Sequence, residues 1–287
     1  MKYIKFGYYI FFSLTLNLCA CAQNKHIFNT DSNAKSSKID SNFTLIKTIN
    51  GNFSYFDVDV LDNIYLINQS KQLKKINANG DSVAVYNNVK KFGNPTSINV
   101  SNPLKILLFY KSYSTIITLD RFLSLRNTIN LKKLNIFNTK TIATSYDNNI
   151  WLFDEQEFKL KKINDDGIVL SESNDWRQIF ENVPSPTEIF DQNGFVYLYD
   201  PNNGFYVFDY YGSLKSQLPF LHWKNVSVSN NNIYGFVQNT MQSYQLKSMN
   251  IKTYNLSNIF DNSITIRAIN GKLYLLKSTG LEIYQIK

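Results

Sequence analysis

Cysteine is nearly absent from this chain of 287 residues, and the two that occur, Cys19 and Cys21, both lie close to the N-terminus. Everything beyond them lacks a disulfide and a thiolate site. Histidine is as scarce, with only His26 and His222, so a zinc centre of the Cys/His type cannot be assembled. Just four of the 30 cationic residues are arginine: Arg121, Arg126, Arg177 and Arg267. Phosphate recognition favours guanidinium forks, so the net charge of +8 reads as a lysine-rich, solubilising surface. Nucleic acid is not an expected partner. A phosphate-cradling glycine loop and a G-x-S-x-G nucleophile elbow are also missing.

What is present is apolar and aromatic. Hydrophobic residues make up 44% of the chain and aromatics 15%, enough for a large core. The length suits one domain of about 250 residues or two small ones. The chain holds 38 asparagines, a residue suited to turns.

The N-terminus carries an address. Lys2 and Lys5 precede an apolar run from Phe6 to Leu18, shorter than the roughly 20 residues a spanning helix needs and fitting a signal peptide. Two cleavage readings compete. Leu18-Cys19-Ala20-Cys21 resembles a bacterial lipobox, whose last cysteine is lipidated. Ala20-Cys21-Ala22 fits ordinary small-x-small cleavage, releasing a soluble chain that begins at Gln23. Residues 1–20 are thus read as a signal peptide. Residues 21–42 are read as lipidated Cys21 followed by a polar tether, and residues 43–287 as the folded domain. The expected location is the cell envelope, at the outer membrane, with the lipid as the only membrane contact. A soluble periplasmic or secreted protein is the alternative.

The folded part repeats. Asn63-Ile64-Tyr65-Leu66 returns as Lys105-Ile106-Leu107-Leu108, Asn149-Ile150-Trp151-Leu152, Phe195-Val196-Tyr197-Leu198, Asn232-Ile233-Tyr234-Gly235 and Lys272-Leu273-Tyr274-Leu275. A period of about 40 residues with strand-like units and Asn/Gly turns marks propeller blades. In the first repeat, Phe56–Val60, Ile64–Ile67, Leu73–Ile76 and Ser82–Tyr86 alternate with turns and give four strands. The sixth repeat stops one strand short at Ile286, whereas Phe43–Ile49 precedes the first blade without one of its own. The expected fold is therefore all-β: a six-bladed β-propeller of four-stranded antiparallel blades. The N-terminal strand completes the last blade, since an open ring would leave unpaired edges.

These repeats resemble the six-bladed β-propellers of the NHL and related groups over Phe43 to Lys287. The resemblance implies that ligands meet the face built by connections from second to third strand and from outer strand to next inner strand. On those connections lie Tyr110 and Tyr113, then Trp176, Arg177 and Phe180, then His222 and Trp223. Tryptophans beside an arginine are the material of interface hot spots, although large rings also fill the wedges between blades. The expectation is a non-catalytic binding or scaffold module, without a cofactor, that recognises a protein, peptide or glycan through this face. The alternative is a metal-dependent hydrolase resembling the propeller lactonases, which hold a divalent cation on the axis with oxygen ligands. Its candidate ligands are Asp57, Asp59, Asn99 and Glu188, while Arg267 on the last inner strand would repel a cation.

Overall fold

A computed structural model describes residues 42–88, 91–256 and 263–287. The signal peptide, Cys21 and nearly all of the tether lie outside the described residues. Six four-stranded antiparallel sheets form the blades. Their inner strands are Phe53–Val58, Ser97–Asn102, Thr139–Thr144, Glu188–Gln192, Lys224–Ser229 and Thr265–Ile269. The second blade, whose first turn carries Pro103, is complete.

The recurring tetrapeptide is the start of each second strand. Its third residue, Tyr65, Leu107, Trp151, Tyr197, Tyr234 or Tyr274, stands opposite Asp57, Asn99, Ala143, Phe190, Ser227 or Arg267 of the inner strand. That row faces the following blade. Tyr65 packs among residues of blade 2, Trp151 among those of blade 4 and Tyr274 among those of blade 1.

Asparagine serves the hairpins. The turns Asn193–Gly194, Asn230–Asn231 and Asn270–Gly271 join inner to second strands, and both residues of each have positive φ. This is the type I′ geometry that matches the twist of a two-residue hairpin. In blades 1 to 4 the third-to-outer turns are closed by an Asx side chain. Asn77 Oδ1 accepts from the Gly80 and Asp81 N–H groups, and Asp209 Oδ1 accepts from Tyr211 and Ser213. All these turns share one end of the propeller, termed the turn face; the longer connections occupy the opposite, loop face.

Strand Phe43–Asn50 pairs antiparallel with Gly280–Ile286 as the outer strand of blade 6, from Phe43↔Ile286 to Asn50↔Gly280. Sequence-distant ends thus close the ring, and the described chain begins and ends at the turn face.

Candidate functional site

The loop-face candidates divide into core and surface. Asp175 caps the short 3-10 turn Trp176–Gln178 by accepting the Arg177 N–H, and this turn drives the Trp176 ring inward. There it is 0% exposed, stacked on Phe208 at 5.4 Å and met edge-on by half-buried Phe180 at 5.6 Å. Trp223 is also buried, stacked on Phe220 at 4.3 Å. A Cβ on Gly235 would stand 2.2 Å from its ring, so glycine makes the room. Tyr110 is buried as well. As folded, these three rings fill wedges between blades and present no contact surface, contrary to the expectation of a tryptophan-lined rim. Arg177, His222 and Tyr113 do reach the surface. Arg177 is held by a forked pair to Asp175 (2.9 and 2.5 Å). His222 sits at φ 58° with its N–H on the Pro201 carbonyl at 2.7 Å.

The inner strands surround an axial cavity of about 60 Å³, large enough to hold water. Its wall includes the whole ring Asp57, Asn99, Ala143, Phe190, Ser227 and Arg267. Arg267 Nη1 donates to Asp57 Oδ1 at 2.6 Å, and Asn99 Oδ1 accepts from Thr144 N and Oγ1 (3.2 and 3.0 Å). Ser227 Oγ donates to the Ala268 carbonyl. Adjacent blades are thereby tied together at the axis. Two residues earlier along the inner strands, Tyr55 donates its hydroxyl to the Ile98 carbonyl at 3.2 Å, and Glu188 is exposed to solvent space.

Although solvent space reaches Glu188, walls enclose it. That desolvation pushes its carboxyl up to about 7, with Arg267 pulling the other way and Asp57 adding to the rise. Burial also raises Asp57, against the pull of Arg267.

The proposed metal ligands do not converge. Asp59 is fully buried in its own turn, accepting from Leu61 N, Asn63 N, Asn63 Nδ2 and the Tyr65 hydroxyl at 2.8–3.0 Å. Asp57 is engaged by Arg267 and the Val58 N–H, and Asn99 Oδ1 is engaged by Thr144. Among the described residues no group of three or more His, Cys, Asp or Glu is placed to hold a metal ion. This residue set does not fit an axial oxygen-coordinated cation, because its central position is a guanidinium.

The turn face bears a feature the sequence reading did not single out. Leu61, Leu104 and Tyr146 are each 63% exposed on the inner-to-second turns of blades 1, 2 and 3. The same turns in blades 4, 5 and 6 carry only Asn and Gly. Three successive turns thus each expose a large apolar side chain, and the other three expose none. Tyr146 is also fixed in place. Its N–H donates to Asp191 Oδ2 (3.1 Å), an oxygen that also accepts Trp151 Nε1 (2.8 Å) and Ser145 Oγ (3.2 Å). Tyr210 donates to the other oxygen at 2.5 Å and stacks on Tyr146 at 4.2 Å. Lys162 Nζ lies 4.6 Å from the Trp151 ring centre and 5.1 Å from that of Tyr146. The signal lay in the turns: Leu104 and Tyr146 occupy positions that hydrophilic turn chemistry would otherwise claim.

No protein-family model matches the chain, and no curated protein matches it. Solved structures do. Virginiamycin B lyase from Staphylococcus aureus, in a catalytically inactive form with quinupristin, is 12% identical; the match covers 85% of this chain and all of that one, at a TM-score of 0.57. A putative exported protein from Bacteroides fragilis is 10% identical over 87% of this chain and 96% of that one, at 0.56. The WD40 domain of Pan2 from Neurospora crassa is 9% identical over 85% and 84%, also at 0.56. An enzyme, an exported protein and a WD40 domain share the architecture, so the likeness is one of fold and carries no activity with it.

Proposed function

We propose that this chain is an exported, envelope-tethered binding propeller that performs no chemistry itself and holds a protein or peptide partner on its turn face. The observation that carries this reading is the exposed crescent of Leu61, Leu104 and Tyr146 beside the channel mouth. Large apolar side chains exposed on three successive turns supply the material of an interaction site, and a tyrosine already held by Asp191 and Tyr210 loses little freedom on binding. Aliphatic side chains favour protein over glycan, whose hydroxyls would be stranded against them. Export and tethering rest on the N-terminal sequence, with Cys21 as the lipid acceptor. The axial-hydrolase reading is set aside because Asp57 and Asp59 are already engaged within the protein.

Site-specific photocrosslinking in native envelopes tests this. A photoreactive residue at position 61, 104 or 146 is expected to give a common adduct, and one at position 113 or 222 on the loop face is expected to give none. Adducts from the loop-face positions alone would return the site to that face.

A further inference from the structure

One row of side chains borders every wedge between blades: opposite the third residue of the motif, the third strands carry Lys75, Thr118, Lys162, Val207, Ser243 and Ile283. Opposite the motif aromatic, the third strand carries Lys75 in blade 1 (facing Tyr65) and Lys162 in blade 3 (facing Trp151). Each lysine is buried; Lys75 bonds across the wedge to blade 2, whereas Lys162 pairs with Asp147 of its own blade at 3.0 Å. Lys75 Nζ reaches the Arg121 carbonyl at 3.1 Å, and Lys162 Nζ lies among Trp151, Tyr146 and Tyr210. In blade 4 the same position, facing Tyr197, is Val207. Val207 is apolar and lines an open groove of about 470 Å³ between blades 4 and 5. That volume falls within the range of small-molecule sites, about 300–1,000 Å³.

The groove has a distinct chemistry. Its walls are Phe195, Tyr197, Val207 and Leu218 on one side and Tyr244 and Leu246 on the other. Two cations, Lys215 and Lys247, stand on its edge. Lys215 is paired with Asp209 at 2.8 Å, whereas Lys247 is exposed on the turn after Gln245 and makes no ion pair among the described residues. No carboxylate lines the groove. An apolar body combined with an anionic end complements such a site, because the walls repay apolar burial and the ammonium gives a charge-assisted contact.

We propose that the groove between blades 4 and 5 is a binding site for a small single-chain amphiphilic carboxylate of the fatty-acid type. It is separate from the partner crescent, which lies on blades 1 to 3, and does not depend on it. In the wedge between blades 5 and 6 the corresponding residue is Ser243, facing Tyr234, and the cavity there is lined mainly by polar groups. That wedge lacks the apolar walls such a ligand needs.

The test is calorimetric titration of the exported chain carrying Cys21→Ser, which removes the acceptor for a competing acyl group. The probe is sodium decanoate below its micellar concentration. Saturable binding of one decanoate per chain is expected, with decyltrimethylammonium weaker by about tenfold or more. Ser216→Trp, on the exposed outer strand at the groove, should abolish binding. Lys247→Glu should weaken it about tenfold, and melting curves of both variants establish that the fold is retained. Val207→Lys, which sets a long charged side chain among the apolar walls of the groove, should obstruct the site as well. The proposal is overturned by any of three results: no saturable decanoate binding; binding unchanged in Ser216→Trp and Lys247→Glu; or binding only to phosphatidylglycerol vesicles.

Discussion

Arg267 and Asp57, 210 residues apart in sequence, meet on the propeller axis with Nη1 2.6 Å from Oδ1, joining the inner strand of the last blade to that of the first. The pair is largely shielded, with side-chain exposures of 21% and 8%, and Arg267 Nε is buried without a partner among the described residues. Removing one partner of a buried pair strands the other charge, typically at a cost of about 3–5 kcal/mol; replacing both with neutral groups is far milder. Arg267→Met should therefore lower stability to denaturant by about 3 kcal/mol, and adding Asp57→Asn should restore most of it. Equal losses in the single and double variants would show that the pair is not coupled.

Glu188 gives a pH dependence of defined sign. Burial raises its pKa from an ordinary 4.5 to about 7. Between those values the native chain keeps a proton that the unfolded chain has released, so stability falls as pH rises through this window. The groups facing Glu188 are Arg267, Asp57 and Tyr55, and the raised carboxyl of Asp57 acts in the same direction. Glu188→Gln mimics the protonated form at every pH. Its melting temperature should match the parent at pH 5 and exceed it at pH 8. Parallel curves across that range would rule out titration of Glu188 in the channel.

Why the blades were legible and the site was not comes down to register. Tyr65, Trp151 and Tyr274 repeat because every wedge needs an apolar filler at the same place, and that periodicity survives in a single sequence. Four of the six inner strands contain an irregularity against their partners: between Phe53 and Tyr55, Asn99 and Asn102, Thr139 and Ile142, and Lys224 and Ser227. Such a shift changes which side chains face the axis. The sequence therefore could not tell that Asp57 meets Arg267 while Asp59 turns away into its hairpin. Trp176 stays open between rim and wedge in the sequence for a related reason: whether a tryptophan on a long connection points in or out depends on a three-residue turn set by Asp175, and composition does not reveal it.

Trp176 should behave as a core residue. Replacing a fully buried large aromatic by alanine costs about 3–5 kcal/mol, so Trp176→Ala is expected to unfold at markedly lower denaturant. Its Nε1 has no hydrogen-bond partner among the described residues, so Trp176→Phe sacrifices volume without breaking a hydrogen bond. It should cost well under half as much in the same titration. A binding role without a packing role would leave both melts at the parental value.

Asp191 should matter to the partner surface more than its place in a hairpin implies. Four donors converge on it, from Tyr146 N, Ser145 Oγ, Trp151 Nε1 and the Tyr210 hydroxyl. Three come from blade 3 and one from its own blade. Asp191→Ala leaves those donors without their acceptor. The buried Trp151 N–H alone would then cost about 1–3 kcal/mol, while Tyr146 and Tyr210 could turn toward water. The variant should therefore lose stability and also lose the stacking that fixes Tyr146. Hydrogen exchange at the Tyr146 amide separates the two effects: it should accelerate far more than exchange in the blade 6 strands. If exchange rose equally throughout, Asp191 would be supporting the fold as a whole and not ordering the crescent.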